Sequence, residues 1–572
     1  MATVYVNDKP VDIGTERLNC IQAAERAGVV IPSYCWHPSL TVVASCRMCL
    51  VEFGELKDGK VLIPPKVFPG CQTSVKDGSV IVTGEYAKRD PDLKPLPYPD
   101  KYAPGTFAKK AQADTLEGIL LNHPLDCPVC DKAGECKLQD YSFQFGRPET
   151  RMVDDKNQPP NKPELSPNIT LFTDRCVMCS RCVRFTREIS GTAELLVINR
   201  GHHAEIDVFP GEPLDNKLAG NVVDLCPVGA LGSKDFLYKQ RVWYLKTEDS
   251  VCPKCSTGCS IHAEANKDVL FRLRPRENPQ AQGYFMCDEG RYGYHYVNSK
   301  ERIDRPIVKK HGQTWLAPWA KAIEEIRTDF GESAKKRAAG TWLVISPFLT
   351  CEEAYLAAKW FKAMSPDVKL SLGFVPIVGE DDTYPKDRRG HAVQPVKFTI
   401  RAEKCPNRRG VEEILKHFQG EVIPFDKVVE AAKANEAQAI FLTAGYPEPA
   451  IAEADAEPIN GVPLLLTVDL FHGPATKLAK YVLPAATFAE KDGTFVNHAG
   501  LAQILKRCVK PPQECRSEGQ LFFDLLGRRG LIHAADICRE MAAEVPYFAE
   551  LAAGVGELGR KLSLPTIAGV TP

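Results

Sequence analysis

Long apolar runs are missing from this sequence. A bilayer-crossing helix needs about 18 or more apolar residues, and the most apolar stretches, such as Val462 to Phe471, carry charge or end too soon. A surplus of one charge is missing as well: Lys and Arg total 72 against 73 Asp and Glu, a formal charge of -1. Nothing in that balance draws the chain to nucleic acid or to a membrane surface. The opening residues, Met1 to Lys9, lack a basic stretch, an apolar stretch and a small-residue cleavage site in succession, so no secretory leader is expected and the cytoplasm is the expected compartment. Hydrolytic machinery is absent too. The sequence has no nucleophile elbow, no zinc-protease motif and no conspicuous carboxylate pair, which leaves no catalytic residue to nominate.

Two glycine-rich strings imitate nucleotide loops and fail on context. Gly554, Gly556 and Gly559 form G-x-G-x-x-G, but only thirteen residues follow Gly559, too few to complete a βαβ unit. Gly54, Gly59 and Lys60 match most of a phosphate loop, yet Val61 stands where a hydroxyl must bind magnesium. That string is expected to be a hairpin tip.

What the sequence has in quantity is cysteine. Of 21 in 572 residues, sixteen lie at or before Cys287 and five after it. The length predicts about four domains, and the asymmetry predicts two halves with different work. In a reducing compartment, clustered cysteines point to metal or catalysis rather than to a disulfide framework.

The first 90 residues read as a small sheet-and-helix domain, with strands at Thr3 to Val6 and Pro10 to Ile13 around an Asn7-Asp8 turn and a helix from Leu18 to Ala27 ended by Gly28. Cys20 falls on that helix and is read as core. Cys35, Cys46, Cys49 and Cys71 follow as C-x10-C-x2-C-x21-C, three thiolates on one loop and a fourth from afar, like a ferredoxin [2Fe-2S] site with a lengthened first interval. Structural zinc on four cysteines is the alternative. His123, Cys127, Cys130 and Cys136 form H-x3-C-x2-C-x5-C, a set that serves zinc or an iron–sulfur cluster equally well. A neutral imidazole in place of a thiolate favours the reduced state of a cluster.

The third set has a sharper signature. Cys176, Cys179 and Cys182 stand at x2-x2, and Cys226 follows after 43 residues in Cys-Pro context, as in bacterial [4Fe-4S] ferredoxins. Thr186 and Arg187 occupy the place of the usual nearby Cys-Pro, so one cubane is expected rather than a pair. Cys252, Cys255, Cys259 and Cys287, spaced x2-x3-x27, supply four thiolates for a further cubane, again with zinc as the alternative. Four consecutive sets, two with iron–sulfur spacing, weigh against four zinc sites.

From about Lys300 the pattern becomes alternating. Thr341 to Ser346, Ala439 to Thr443 and Pro463 to Val468 read as strands and Cys351 to Met364 as a helix, an α/β layout with a largely parallel sheet. The stretch from Pro376 to Pro406 has no period and is expected to be an extended surface segment. Cys351, Cys405, Cys508, Cys515 and Cys538 show no ligand spacing and are expected to be buried as small hydrophobes.

The strings YCWHP, CRMCLVE, NHPLDCPVCDKAGECKLQDYS, RCVMCSRCVRFTREI and LCPVGAL resemble the large iron–sulfur subunits, of the bacterial G type, of proton-pumping NADH:quinone oxidoreductase, respiratory complex I. AKYVLPAATFAEKDGTFVN, residues 479 to 497, is similar to the C-terminal part of the same subunits, which descend from molybdopterin oxidoreductases. The resemblance implies a multidomain α+β and α/β chain: a β-grasp [2Fe-2S] ferredoxin domain over residues 1–90, iron–sulfur-binding middle domains over 91–140 and 141–245, a molybdopterin-oxidoreductase-type [4Fe-4S] domain over 246–302, and an α/β molybdopterin-oxidoreductase-like domain without molybdenum over 303–572.

It further implies one [2Fe-2S] cluster on Cys35, Cys46, Cys49 and Cys71, and three [4Fe-4S] clusters: one on Cys176, Cys179, Cys182 and Cys226, one on His123, Cys127, Cys130 and Cys136, and one on Cys252, Cys255, Cys259 and Cys287. In the family, electrons leave the flavin of a neighbouring subunit and pass the Cys35, Cys176 and His123 clusters in that order toward the quinone-site subunits, while the Cys252 cluster, kept by some members, lies off the path. The implied enzyme is a translocating NADH:quinone oxidoreductase with no complete active site on this chain. Its implied partners are a flavin- and NADH-binding subunit, a small [2Fe-2S] subunit and quinone-site peripheral subunits, which hold the peripheral arm on the cytoplasmic face of the inner membrane. The alternative is the catalytic subunit of an NAD-linked, molybdenum-dependent formate dehydrogenase. Against it stand the missing second cubane, the absence of cysteine from Met364 to Lys404, and only about 285 residues after Cys287 for a domain enclosing the full pterin cofactor.

Overall fold

The computed structural model describes residues 2–310 and 312–563. The chain divides into two compact units, one of Met1–Tyr244 with Tyr384–Pro395, the other of Leu245–Thr383 with Val396–Pro572.

The first unit begins with a mixed sheet. The strands Ala2–Val6 and Lys9–Gly14 turn at Asn7 and Asp8, both left-handed (φ 47° and 71°), and Ala2–Val6 runs parallel to Ser79–Val82. Leu50–Lys57 pairs with Ser79–Val82, with Lys60–Leu62 and with Val67–Pro69. The tip between Leu50–Lys57 and Lys60–Leu62 is Asp58-Gly59, so the phosphate-loop look-alike is the expected hairpin turn. The helix Cys20–Ala27 packs on this sheet, started by a capping box of Asn19 with Gln22 and ended at Gly28, φ 75°. Cys20 is fully buried in that core. Two helices, Thr106–Leu120 and Lys137–Phe145, flank the second ligand set. Beyond them lie the antiparallel pair Ile169–Leu171 and Leu231–Ser233, the hairpin Leu195–Ile198 with Glu205–Val208, and the short helices Arg181–Phe185 and Asn221–Leu225.

The second unit opens with an antiparallel meander, Lys246–Val251, Ser260–Asn266 and Val269–Pro275. Its main sheet has seven strands in the order Gln313–Leu316, Ile307–Lys310, Tyr481–Pro484, Leu464–Asp469, Ala439–Thr443, Thr341–Ile345 and Lys369–Leu372, the last five parallel. Continuous apolar runs make these central strands because both faces are covered: Phe330, Trp360, Phe361, Phe441 and Phe522 stack on one side, and Phe425, Val428 and Ile459 lie on the other. The expected α/β layout is what forms. Cys351–Met364 is a helix as expected, begun by a buried capping box in which Thr350 Oγ1 accepts from the Glu353 N–H (3.2 Å) and Glu353 Oε2 accepts from the Thr350 N–H (3.0 Å). Thr350→Ala is expected to destabilise this unit by about 1 kcal/mol, measured by denaturant titration.

One expectation needs correcting. The stretch from Pro376 to Pro406 is not all surface: it holds the short strands Asp382–Tyr384 and Phe398–Ile400, and its Tyr384 is buried. Residues 384–395 belong to the first unit, where the Lys386 N–H donates to Ser190 O (2.9 Å) over Gly191, whose missing Cβ would strike the Lys386 carbonyl. All five cysteines of the second half outside the ligand sets are buried, as expected. Gly554, Gly556 and Gly559 all have positive φ in a loop between a 3-10 turn and the strand Arg560–Lys561, and among the described residues no βαβ unit surrounds them. Among the described residues no helix is long and apolar enough to cross a membrane.

Candidate metal centres

Strand pairing assembles the first set. Leu50 opposes Pro69 in the sheet, so Cys49 and Cys71, which flank that pair, come together, and the Gly70 N–H donates to Cys49 O (2.8 Å). The loop bearing Cys35 and Cys46 closes over them, with the Cys35 N–H donating to Cys46 Sγ (3.4 Å). Left-handed Ala44 and Arg47 (φ 49° and 56°) turn that loop tightly enough to aim three thiols inward. The sulfurs form a connected group: Cys35 bonds with Cys46 and Cys71, and Cys71 with Cys49. These hydrogen bonds, Cys46 first, pull the Cys35 thiol below its ordinary range.

In the second set Cys127, Cys130 and Cys136 interact through their charges, and Cys136 caps the helix Lys137–Phe145. Cys130 and Cys136 are buried and Cys127 is exposed. His123 stands half-buried near Asp126 and Arg175, and burial, then Arg175 and Lys156, hold its imidazole down at about 4. The ring is therefore neutral near pH 7, the form that donates a lone pair to a metal. Among the described residues it makes no hydrogen bond, and its charged neighbours are Arg175, Lys156 and Asp126.

The third set lines a common cavity. Cys176, Cys179, Cys182 and Cys226 share it with apolar Leu171, Val228 and Leu231. Left-handed Met178 and Ser180 (φ 49° and 56°) coil the loop between the first three, and the helix Asn221–Leu225 delivers Cys226. Burial, then the neighbouring thiols, pushes Cys176 up to about 12 and Cys179 up to about 11, and raises Cys182.

In the second unit, Cys252 ends one meander strand and Cys259 precedes the next, joined by the Cys252 N–H donating to Cys259 O (2.9 Å). Cys287 caps the helix Asp288–Tyr292, with its Sγ accepting from the Gly290 N–H (3.4 Å). A Cβ on Gly290 would lie 2.8 Å from Cys252 Sγ, so glycine permits that approach. All four cysteines are buried, and burial is the largest cause raising Cys252, to about 12, and raising Cys259 and Cys287.

The donor chemistry of all four sets fits a multiply charged soft centre. Where burial raises the thiols, as at Cys130, Cys136, Cys176, Cys179, Cys182, Cys252, Cys259 and Cys287, a metal centre's positive charge is what converts them to thiolate ligands. Among the described residues no three His, Cys, Asp or Glu side chains are grouped as for a single bound ion.

Sequence reasoning missed the residues that fasten the sets. Arg175 pairs with Asp126 (2.7 and 3.0 Å), joining the neighbour of Cys176 to the neighbour of Cys127. A Cβ on Gly229 would run into Cys130 Sγ, and the Lys137 N–H donates to Pro227 O (3.0 Å), so the Cys226 loop lies directly on the second set. Arg241 donates to Cys130 O (2.8 Å). In the second unit Asn497 Nδ2 donates to Thr257 O (3.0 Å) and Gln503 Nε2 to Gly258 O (2.7 Å), holding the Cys255–Cys259 loop from residues some 240 positions away in sequence. Only the AKYVLPAATFAEKDGTFVN resemblance touched Asn497, and nothing in the spacing marked the arginines.

Comparison with known proteins follows the same divisions. A 2Fe-2S iron-sulfur cluster binding domain matches residues 1–86, an NADH-ubiquinone oxidoreductase-G iron-sulfur binding region 112–151, and the ferredoxin-like domain of NADH-quinone oxidoreductase subunit 3 residues 166–232. A molybdopterin oxidoreductase Fe4S4 domain matches 245–299 and molybdopterin oxidoreductase 415–528. The NADH-quinone oxidoreductase G subunit of Rickettsia conorii is 33% identical over 326 residues, 57% of this chain and 44% of that protein. Over part of its length the chain is similar to the NADH-quinone oxidoreductase G subunits. The G 2 subunit of Rhizobium meliloti is 34% identical over 60% of this chain and 37% of its own length, and the NADH-ubiquinone oxidoreductase 75 kDa subunit of Reclinomonas americana 32% over 58% and 44%. The chain thus spans less than half the length of these relatives. A solved NAD+-reducing [NiFe]-hydrogenase matches with a TM-score of 0.34 and 23% identity over 42% of this chain and 91% of that one. The chain therefore carries 2Fe-2S- and 4Fe-4S-binding domains ahead of a molybdopterin-oxidoreductase domain, the fold class expected from its motifs.

Proposed function

We propose that this chain is the electron relay of an NADH:quinone oxidoreductase, carrying single electrons from the flavin of a partner subunit toward quinone. The observation that carries the reading is the gathering of three ligand sets in one unit, fastened to one another by Arg184, by the Arg175–Asp126 pair and by the Gly229–Cys130 contact. Cys35, Cys46, Cys49 and Cys71 would hold a [2Fe-2S] cluster. Cys176, Cys179, Cys182 and Cys226 would hold a [4Fe-4S], and His123 with Cys127, Cys130 and Cys136 another. A bound cluster supplies one-electron oxidation and reduction without a proton-transfer group of its own.

The chain's own residues do the rest. The cavity wall of Leu171, Val228 and Leu231 keeps water from the third set, and neutral His123 replaces a thiolate, which favours an added electron at the last station. The order Cys35 set, Cys176 set, His123 set runs along those fastenings, and exposed Cys127 gives the last set an open edge toward a partner. Cys252, Cys255, Cys259 and Cys287 would hold a fourth cluster off this path. The partners are a flavin- and NADH-binding subunit, a small [2Fe-2S] subunit and quinone-site subunits, with the arm on the cytoplasmic face of the inner membrane.

The test is iron, acid-labile sulfide, zinc and molybdenum per chain after anaerobic purification, with EPR of the reduced sample. About fourteen iron and fourteen sulfide, without zinc or molybdenum, is the expected result. Stoichiometric zinc in place of iron overturns the relay, and molybdenum near one per chain replaces it with a molybdenum-dependent dehydrogenase.

A further inference from the structure

The helix Arg181–Phe185 carries two arginines on one face, at i and i+3. Both are buried, Arg181 at 5% and Arg184 at 6% exposure. Every hydrogen bond they make goes to a neutral carbonyl. Arg181 donates to Leu225 O (3.2 Å) and to Trp36 O. Arg184 donates to Thr41 O (2.5 Å), to Cys35 O and to Cys179 O (3.3 Å), so one guanidinium nitrogen bridges the first and third ligand sets. The Nε of each is buried without a partner. Among the described residues neither forms an ion pair, in contrast to Arg175 on Asp126 a few residues away.

Two buried cations without counter-ions are costly to keep. Glu188 accepts from the Thr41 N–H (2.8 Å), on the residue whose carbonyl takes Arg184, without pairing with the guanidinium. The other anions within reach are the thiolates, since Leu225 O precedes Cys226 and Trp36 O follows Cys35. We infer that Arg181 and Arg184 jointly set the potentials of the Cys35 and Cys176 centres, their uncompensated charge stabilising an added electron on either side of the bridge. This rests on the reading that both sets hold iron–sulfur clusters. The step is one electron in, with no proton taken up and no bond broken, so each centre gains one negative charge facing the guanidiniums. Such a charge acts through low-dielectric protein and is hardly screened by salt.

The experiment compares the cluster-loaded full chain with Arg184→Gln, Arg181→Gln, Arg184→Lys and Arg181→Lys in redox titrations followed by EPR. Each Gln variant is expected to lower the midpoints of both centres by about 59 mV, a tenfold fall in the ratio of reduced to oxidised centre for one electron, equally at low and high salt. The Lys variants keep the charge and are expected to titrate near the parent. Unchanged midpoints in the Gln variants, or equal falls in Gln and Lys variants, overturn the inference, because hydrogen-bond scaffolding then accounts for the arginines. If the Gln variants fail to take up iron, Lys variants that assemble with parental midpoints support it, and Lys variants that also fail overturn it. Parent chain without EPR-active iron in these sets overturns the underlying relay reading, an outcome distinct from normal clusters with unmoved potentials.

Discussion

Cys226→Ala is expected to remove about four iron per chain together with one [4Fe-4S] EPR signal, and to stop electrons from the Cys35 set reaching the His123 set. Cys226 is the remote cysteine of its group, brought to the Cys176–Cys182 loop by the helix Asn221–Leu225 and lining one cavity with the other three cysteines. Three thiols on a coiled loop leave one corner of a cubane open to the solvent side, and the burial that keeps those thiols protonated no longer has a complete charge to offset it. The loss does not stay local. Pro227 O accepts from the Lys137 N–H and Gly229 packs on Cys130 Sγ, so disorder in the 226–229 loop reaches the neighbouring set. The [2Fe-2S] signal of the Cys35 set is expected to survive, because its cysteines come from the sheet around Leu50–Lys57 and from the loop that carries Cys35 and Cys46, not from the 226–229 loop. Cys405→Ala is the matched control, a fully buried cysteine in no ligand set, expected to leave iron unchanged. Iron analysis and EPR read both variants, and parental iron in Cys226→Ala sinks the ligand assignment.

Lys491→Met is expected to destabilise the second unit by about 3–5 kcal/mol near pH 8. Lys491 lies 2.8 Å from Glu353 and 3.3 Å from Glu518, all three almost without solvent exposure. Without the ammonium, two carboxylates remain buried beside Glu352, whose own oxygens are satisfied by Thr494. Burial already pushes the Glu518 carboxyl up to about 7, above its value in the unfolded chain. A raised folded-state value means that the folded form takes up a proton as pH falls through it, and losing the ammonium that holds this carboxyl down raises it further, so the penalty in the variant keeps growing as pH rises through 7 and shrinks toward pH 5. Denaturant titrations at pH 8 and pH 5.5 check both parts. Met is close to Lys in shape, so packing alone predicts a small loss independent of pH. Adding Glu353→Gln should recover part of the stability at pH 8, since one of the stranded charges goes with it.

Local chemistry was legible in the sequence. The Cys176 loop was recognisable because a cubane needs three thiolates within one tight turn, and that demand is written as x2-x2. The strand Thr341–Ile345 and the helix Cys351–Met364 were recognisable because a short apolar run and the helical period that follows it are each contained in a few adjacent residues. The segment after Pro376 misled because Lys386 is held by Gly191 and Ser190, and no composition rule reports a partner nearly 200 positions away.

By itself the sequence determined which residues are candidate ligands, how many sets they form, what metals those sets tolerate and which family they resemble, since coordination geometry constrains near neighbours in the chain. Only the tertiary structure decided which sets stand side by side, that Arg184 spans from Cys35 to Cys179, that Arg181 and Arg184 form no ion pair among the described residues, and that Asn497 and Gln503 brace the Cys255–Cys259 loop. Electrostatic influence depends on distance through the folded protein, and that distance is set by packing between segments that the order of residues leaves far apart.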